Sequence, residues 1–428
     1  MRDIIFISLE NWDGVWRRNQ FLCHEWLQRF PEMRLLFVGR SKDFSHAVHS
    51  LSLKEVRRPL LERSANYNGL TVLNPVKLFP NSVAGGRALN LWMLRQQILI
   101  ASRKMGLRAP LLWINDHCAE PLVGKLGERA VVYDITDDWT LLSATPESER
   151  ERIRQADARL CQKADLVIVC SAALERSRRN LCRKLLRVPN GVDASHYKSC
   201  ASRGRAPRGE PVFGYVGTLH GDRLDVDLVL GLARAKTEAR VVLCGPDFLN
   251  ASERKKLLSA PNIYLQKAVD YKDVPGVISG FDVCILPHRC TPFTESLNPI
   301  KLWEYLASGK PVAATPVAGF RERAHLCHLG SGVDGFVKAC ESALFEDPGH
   351  SLARIREAES NSWQCRSEQV LEAFRQEGWL GRPVPRPKTI QNKASRGAAG
   401  ENAPAAIRNA PEGSNECDGQ TNLCETPV

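Results

Sequence analysis

The sequence predicts an α/β protein built as two successive doubly wound parallel sheets, and three observations predict it. Its 428 residues exceed what one ordinary hydrophobic core serves and suit two domains of about 150–200 residues. Short apolar runs alternate with amphipathic helical segments, the pattern of parallel strands joined by helices. That alternation comes in two sets, separated by Ser199–Gly209, which is small, basic and broken by Gly and Pro as a linker is.

The elements follow in order. In the first half, strands are expected at Ile4–Leu9, Leu35–Val38, Leu111–Ile114, Val131–Tyr133 and Leu166–Cys170, with helices at Phe21–Phe30 and Glu147–Gln162. In the second half, strands are expected at Val212–Val216, Val241–Cys244, Ile263–Leu265, Val283–Leu286 and Val312–Ala314, with helices at Asp225–Arg234 and Ile300–Ala307. Beyond Gly381 the chain turns rich in Pro, Ala, Gly and Asn, so 381–428 is expected to be a disordered tail. No repeat of solenoid length occurs.

Composition narrows the class. Hydrophobic residues make up 43%, enough for two cores. The 14 cysteines form no C-x-x-C pair and no zinc-like spacing with histidine. Cys170 and Cys284 lie inside apolar runs, where a thiol packs as a small hydrophobe, so the cysteines read as reduced thiols of a cytoplasmic protein. No stretch reaches the roughly 18 apolar residues of a membrane span, and Ile4–Leu9 is too short for a signal sequence. The net charge of +11 is uneven, with 17 Lys and Arg against 8 Asp and Glu in residues 1–111. Such a surface attracts anionic lipid headgroups or an acidic acceptor, and an ordinary solvated basic face accounts for it equally well. No aromatic-interleaved motif accompanies the charge, so no nucleic-acid partner is expected. Gly86–Arg108 mixes Leu89, Trp92, Leu94, Ile98 and Leu99 with five basic residues. It reads as a core-facing helix with a basic outer side, or as an interfacial helix on a membrane.

The most informative segment is Asn298–Val312, NPIKLWEYLASGKPV. Asn298 and Pro299 end a loop and open a helix, with Pro in its first turn. Free amides and the positive end of the helix dipole then make a phosphate site. Lys301 adds a charge one turn in, and Glu304 shares its face three residues on. Taken alone, a structural helix with a solvated glutamate is the commoner explanation. A second segment, Phe213–Leu219, is a strand entering a tight turn at Gly217, with Arg223 six residues later.

Together these segments resemble the donor-binding half of retaining GT-B glycosyltransferases of the family 4 (glycosyl transferases group 1) type. The resemblance is closest to a bacterial branch whose donor segment reads N-P-x-K-x-x-E-Y-L-A-x-G-K-P-V. Val188–Asp193 (VPNGVD) resembles the close of that family's first domain, and Tyr271–Pro287 the helix and strand before its donor loop. Trp363–Trp379 resembles its final helix, which crosses back onto the first domain. The resemblance implies a GT-B fold, two Rossmann-like domains facing a cleft. Residues 1–195 would be the acceptor domain, 196–211 the linker, 212–360 the nucleotide-sugar domain and 361–380 the crossover helix. It implies that Glu304 holds the donor ribose, and that Gly217, Thr218, Arg223, Lys301 and the Asn298 helix end hold the diphosphate. Asn298 or Glu295 would meet the donor sugar. Two positions depart from the family: Ser296 stands where its first acidic residue stands, and Thr218 where it has an arginine.

In the first half, Asn11–Gln20 follows the first strand, at the rim where doubly wound sheets collect ligands. Gly14 would let backbone approach the diphosphate, and Arg18 or Gln20 would face substrate, with Trp12 beside them. Packing of Trp12 and Trp16 beneath a loop is the structural alternative. Asp137 and Asp138 follow another strand, and either is suited to orient or deprotonate an acceptor hydroxyl. N-capping of a helix is the alternative for one of them. His117 is a further rim candidate. No Asp-x-Asp motif is read as a metal site, so no essential metal and no tightly bound cofactor are expected.

The implied activity is sugar transfer from a UDP- or GDP-sugar to a saccharide or lipid-linked acceptor, in cell-surface polysaccharide or glycoconjugate synthesis. The protein would be cytoplasmic and peripheral to the membrane. The rivals are a GT-B-shaped nucleotide-binding scaffold and a nucleotide-sugar epimerase.

Overall fold

The computed structural model describes residues 2–43, 59–81, 83, 85–142, 145–200 and 209–380. The tail 381–428 and part of the expected linker, 201–208, therefore lie outside the described residues.

The first sheet and its satellites comprise β1 (Asp3–Ile7), β2 (Arg34–Val38), β3 (Lys42–Asp43), β4 (Leu61–Arg63), β5 (Leu70–Leu73), β6 (Val76–Lys77), β7 (Leu111–Ile114), β8 (Ala130–Ile135), β9 (Leu166–Val169) and β10 (Leu185–Arg187). Eight of these form one sheet in the order β10-β9-β8-β7-β1-β2-β5-β4, parallel except for β4, while β3 and β6 make a separate ribbon. The second sheet comprises β11 (Val212–Val216), β12 (Arg240–Cys244), β13 (Ile263–Gln266), β14 (Val283–Leu286), β15 (Val312–Ala314) and β16 (His328–Leu329). Its order is β13-β12-β11-β14-β15-β16, all parallel.

Helices cover both sheets. They are α1 (Arg18–Arg29), α2 (Gly86–Met105), α3 (Glu147–Lys163), α4 (Ala172–Arg178), α5 (Val226–Ala235), α6 (Ala251–Leu257), α7 (Val274–Ser279), α8 (Pro292–Ser296), α9 (Ile300–Ser308), α10 (Gly332–Leu344), α11 (His350–Ser360) and α12 (Trp363–Gln376).

Every residue of β1 is buried because its side chains feed two cores alternately. Ile4 and Phe6 join Trp26, Phe37 and Trp113, whereas Ile5 and Ile7 join Leu36, Ile98 and Leu112 on the other face. The expected strands and helices all appear. Not expected were the buried strand β5, which lies between β2 and β4, the β3–β6 ribbon, and the short edge strands β4, β10 and β16, which are only partly buried and carry little periodic signal. The turns after β11 and β12 pack backbone on backbone. Gly245, at φ +154°, would set a Cβ 2.0 Å from the Gly217 carbonyl oxygen, so only glycine fits there.

The chain passes between the two halves twice, and the passages are hydrogen-bonded to each other. Val192 N–H donates to Asn361 O at 3.2 Å, and Trp363 N–H donates to Val192 O at 3.1 Å. Val192, Tyr197 and Cys200 belong to the second core, so packing on the second sheet begins ahead of residue 196. α12 then lies on the first half: Trp363 stacks on Phe21 at 4.9 Å, and Phe374 sits 6.3 Å from both Trp26 and Trp113.

Eight of the twelve described cysteines are buried. Among the described residues no helix is long and apolar enough to cross a membrane.

Candidate active site

The carboxyl-terminal ends of β1 and β8 face those of β11 and β14, and segments from the two rims touch. Ser296 carries much of this contact. Its hydroxyl accepts from Asp138 N–H at 3.3 Å, and its carbonyl accepts from Ser171 Oγ at 2.6 Å. Beside it, Trp139 meets Phe293 at 5.9 Å between centroids, and Leu142 and Leu297 complete a small apolar cluster. Asn298 is bound from the first half too: Asn190 N–H donates to its Oδ1 at 2.9 Å, and Asn190 Nδ2 to its carbonyl at 2.6 Å.

On the second rim, α9 opens at Ile300 behind Pro299. Asn298 Oδ1 also accepts from Trp303 Nε1 at 3.1 Å. Glu304 is buried and paired with the half-buried Lys301. The phenols of Tyr197 and Tyr271 lie beside it, raised first by burial and then by the Glu304 charge. Gly217 has a packing reason to be glycine, since a Cβ there would lie 2.7 Å from the Tyr215 hydroxyl. Thr218 is exposed, and its carbonyl accepts from Tyr215 Oη at 3.2 Å. Arg223 lies over the Phe293 ring at 5.3 Å and reaches across to Asp137, with Nη2 3.6 Å from Oδ1.

Several expected site residues are absorbed into the framework. Arg18 does not face substrate: it is buried, bidentate on Asp134 at 2.9 and 3.0 Å, and donates to Val188 O at 3.0 Å and Asn190 Oδ1 at 3.2 Å. Gln20 is buried as well, because its amide caps α1, accepting from Arg17 N–H at 3.1 Å and donating to Asn11 O at 2.8 Å. Trp12 packs edge-on against Phe37 at 5.1 Å, which is the structural alternative. The two aspartates separate. Asp138 caps a 3-10 turn through Thr140 N–H at 3.2 Å and pairs with buried Arg178 at 2.9 Å, whereas Asp137 is left at the cleft with Arg223. Glu295 is turned to Arg321, whose Nη1 donates to it at 2.8 Å.

Gly14 is exposed on the rim loop. His117 is buried, with Nε2 lacking a partner among the described residues, and it forms with Asp116 and Cys118 a group whose potential ligand atoms lie within 4.8 Å. The Asp-x-Asp spacing of Asp225 and Asp227 serves structure, Asp225 capping α5 and Asp227 pairing with Lys256.

Sequence reasoning passed over Glu10. It stands just beyond β1 on the first rim, with Oε2 buried and unpartnered among the described residues and Arg17 Nε 3.6 Å from Oε1. Burial raises its carboxyl to about 7, against the pull of Arg17 and with the push of Asp137, Asp13 and Asp134. Its only sequence signal was a carboxylate three residues past a buried strand. His288, just past β14, was missed in the same way.

Residues 210–346 match the family described as Glycosyl transferases group 1. This stretch is a glycosyl transferases group 1 domain. Gly217, Thr218, Arg223, Glu295, Asn298, Lys301 and Glu304 all lie inside it, while Glu10, Gly14, His117, Asp137 and Asp138 belong to the sheet opposite. The chain is 28% identical over 269 residues to the "Putative teichuronic acid biosynthesis glycosyltransferase TuaH" of Bacillus subtilis (strain 168), covering 56% of this chain and 66% of that one. It thus spans just under two thirds of that relative's length. Sucrose-phosphate synthase from Thermosynechococcus elongatus superposes with a TM-score of 0.67 at 16% identity, covering 89% of this chain and all of that one. Anabaena HepE, solved in complex with UDP-glucose, superposes at 0.61 and 16% identity over 87% of this chain and 99% of that one. Identities this low carry the fold alone, and the fold is GT-B: the group 1 domain and its partner Rossmann-like domain face each other across the cleft.

Two predictions follow from the burial of these charges. Arg18→Ala leaves Asp134 buried without its cation and lowers unfolding free energy by about 3–5 kcal/mol. Denaturant titration checks this, and an unchanged midpoint would return Arg18 to the substrate side. Glu10 holds a proton in the fold that the unfolded chain releases near pH 4.5, so its contribution to stability is lost as pH rises from there through about 7. Glu10→Gln therefore stabilises the protein by about 1–2 kcal/mol more at pH 8 than at pH 4.5, read as the difference between two melting curves.

Proposed function

We propose that this protein transfers a sugar from a UDP- or GDP-sugar to a saccharide or lipid-linked acceptor, with retention of configuration, in cell-surface polysaccharide or glycoconjugate synthesis. The observation that carries the reading is Arg223 of the group 1 domain reaching within 3.6 Å of Asp137 on the opposite rim. A cation suited to a diphosphate and a carboxylate suited to a hydroxyl acceptor thus meet across one cleft.

Arg223, Lys301, the Gly217–Thr218 turn and the start of α9 hold the diphosphate, and Glu304 holds the ribose. Asn298 meets the donor sugar through Nδ2, since its Oδ1 is taken by Asn190 and Trp303 and Glu295 is taken by Arg321. As the bond from the anomeric carbon to the diphosphate oxygen breaks, negative charge grows on the leaving group. Fixed cations and amides in a dry cleft stabilise it. The acceptor oxygen bonds the same face of the anomeric carbon and passes its proton to the departing phosphate, while Asp137 orients that hydroxyl. Opening and closing occur by rotation about the paired passages near Val192 and Trp363.

The name of the Bacillus relative supports a cell-wall polysaccharide setting, and the UDP-glucose complex of HepE makes UDP-sugars the first donors to try. Leu89, Trp92 and Ile100 are exposed on α2, Phe79 precedes it, and Arg87, Arg95, Arg103 and Lys104 lie on the same helix. This supports a peripheral seat on an anionic cytoplasmic membrane face, where a lipid-linked acceptor would be met.

The test is calorimetry of the full chain against UDP, GDP, ADP and their sugar conjugates, with and without divalent metal. One nucleotide should bind and its labelled sugar should move to an acceptor. Binding without transfer would favour the scaffold reading suggested by Ser296 and Thr218, and no binding would sink the donor site. Glu304→Gln should weaken nucleotide affinity about tenfold with little change in melting temperature, and unchanged affinity would remove Glu304 from the ribose contact.

A further inference from the structure

We propose that His288 is a diphosphate-binding residue of the donor site, a neutral imidazole that donates a hydrogen bond to a phosphate oxygen beside Arg223. The inference rests on the reading of this cleft as a nucleotide-sugar site and extends it to a residue that no motif marked.

Position comes first. His288 lies two residues past the end of β14, at the rim of the group 1 domain, and the turn carrying Arg223 is bound alongside it. Leu224 bridges to His288 in antiparallel fashion, Asp225 N–H donates to Pro287 O at 2.8 Å, and Arg289 N–H donates to Arg223 O at 2.7 Å. Leu224 thus stands opposite His288 and Arg223 opposite Arg289, which puts Arg223 one step along the same ladder from His288.

The ring is the anomaly. His288 is 6% exposed, and among the described residues neither Nδ1 nor Nε2 has a hydrogen-bond partner. A neutral imidazole always carries one donor and one acceptor. Burying both unmet costs on the order of 1–3 kcal/mol each, a penalty that a phenylalanine or leucine filling the same space would avoid. The neighbouring rings do not answer the need: Tyr215 lies 6.2 Å away between centroids, and its hydroxyl is given to Thr218 O. Unmatched polar atoms also occur inside the first core, at Trp26 and Trp113, but those of His288 stand beside a cation of the proposed donor site.

The chemistry selects the ligand. Burial, followed by the Arg223 charge, holds the imidazole down to about 3, so it is neutral throughout the physiological range. It therefore binds without adding a second cation beside Arg223, and it takes no part in proton transfer. An N–H donor next to a guanidinium is a pairing suited to the oxygens of a nucleoside diphosphate. With both nitrogens closed off from solvent, that contact forms when the cleft opens to admit the ligand.

The test uses the full chain, with UDP and GDP as probes, and pairs affinity with stability. His288→Phe should melt at or above the wild-type temperature, because two buried unmet groups are gone. It should also bind the nucleoside diphosphate about 10–100-fold more weakly, equally at pH 6 and pH 8. His288→Gln, which restores a donor, should recover part of the loss, and His288→Leu serves if the Phe variant does not fold. A Phe or Leu variant that binds as tightly as wild type makes His288 a packing residue and overturns the inference. A loss of affinity that varies between pH 6 and pH 8 would overturn the neutral-donor role. Wild-type protein that binds neither UDP nor GDP overturns the site reading itself, which is a separate outcome from wild-type binding with no effect of substitution.

Discussion

The arrangement of this cleft depends on Asn190, whose polar atoms are all committed. Its Oδ1 accepts from Arg18 on α1 at 3.2 Å, and its carbonyl accepts from Arg366 on α12 at 3.2 Å. Its N–H and Nδ2 both go to Asn298, at 2.9 and 2.6 Å. One residue thus joins the first sheet's leading helix, the helix that returns from the second half, and the loop that opens α9. Each bond contributes only about 1 kcal/mol net. Because they share one buried residue, none can move without leaving another polar group unmet, and that is what sets the position of Asn298 against the opposite rim.

Beneath this node the charges divide into two kinds. Arg18 with Asp134, and Arg178 with Asp138 and Asp157, are buried pairs whose oxygens and N–H groups are matched. Such pairs fix geometry more than they stabilise, since desolvation offsets much of their attraction. Glu10, Asp137, Arg223 and His288 are less fully matched: one carboxylate oxygen and two ring nitrogens have no partner among the described residues, and Asp137 meets Arg223 only at 3.6 Å. Incomplete matching on two facing rims leaves interactions that a ligand can complete, and the proposed sugar transfer draws on these unmatched groups.

The departures from the family pattern acquire a physical meaning in the same frame. Ser296 sits in the contact between the halves, with its hydroxyl and carbonyl both engaged by the first domain. A longer acidic side chain there would have to displace Asp138 N–H or turn into the cleft. Under the proposed function the donor sugar is left to Asn298, which Asn190 holds in place from the first half.

By itself the sequence determined the two parallel sheets, the strands at their centres, α9 and its Pro299 opening, and the position of Glu304 one turn from Lys301. These follow from local periodicity and from spacing along a single element, which neighbouring residues fix. It also exposed both aspartates after β8 without telling them apart, because adjacent residues share a sequence position yet point to different environments. Only the tertiary structure sent Asp138 to Arg178 and Asp137 to Arg223, and drew Arg18 into Asp134, partners 116 positions away. The same is true of Glu10 and His288: the burial that raises one and neutralises the other comes from groups distant in the chain, and no local pattern encodes it.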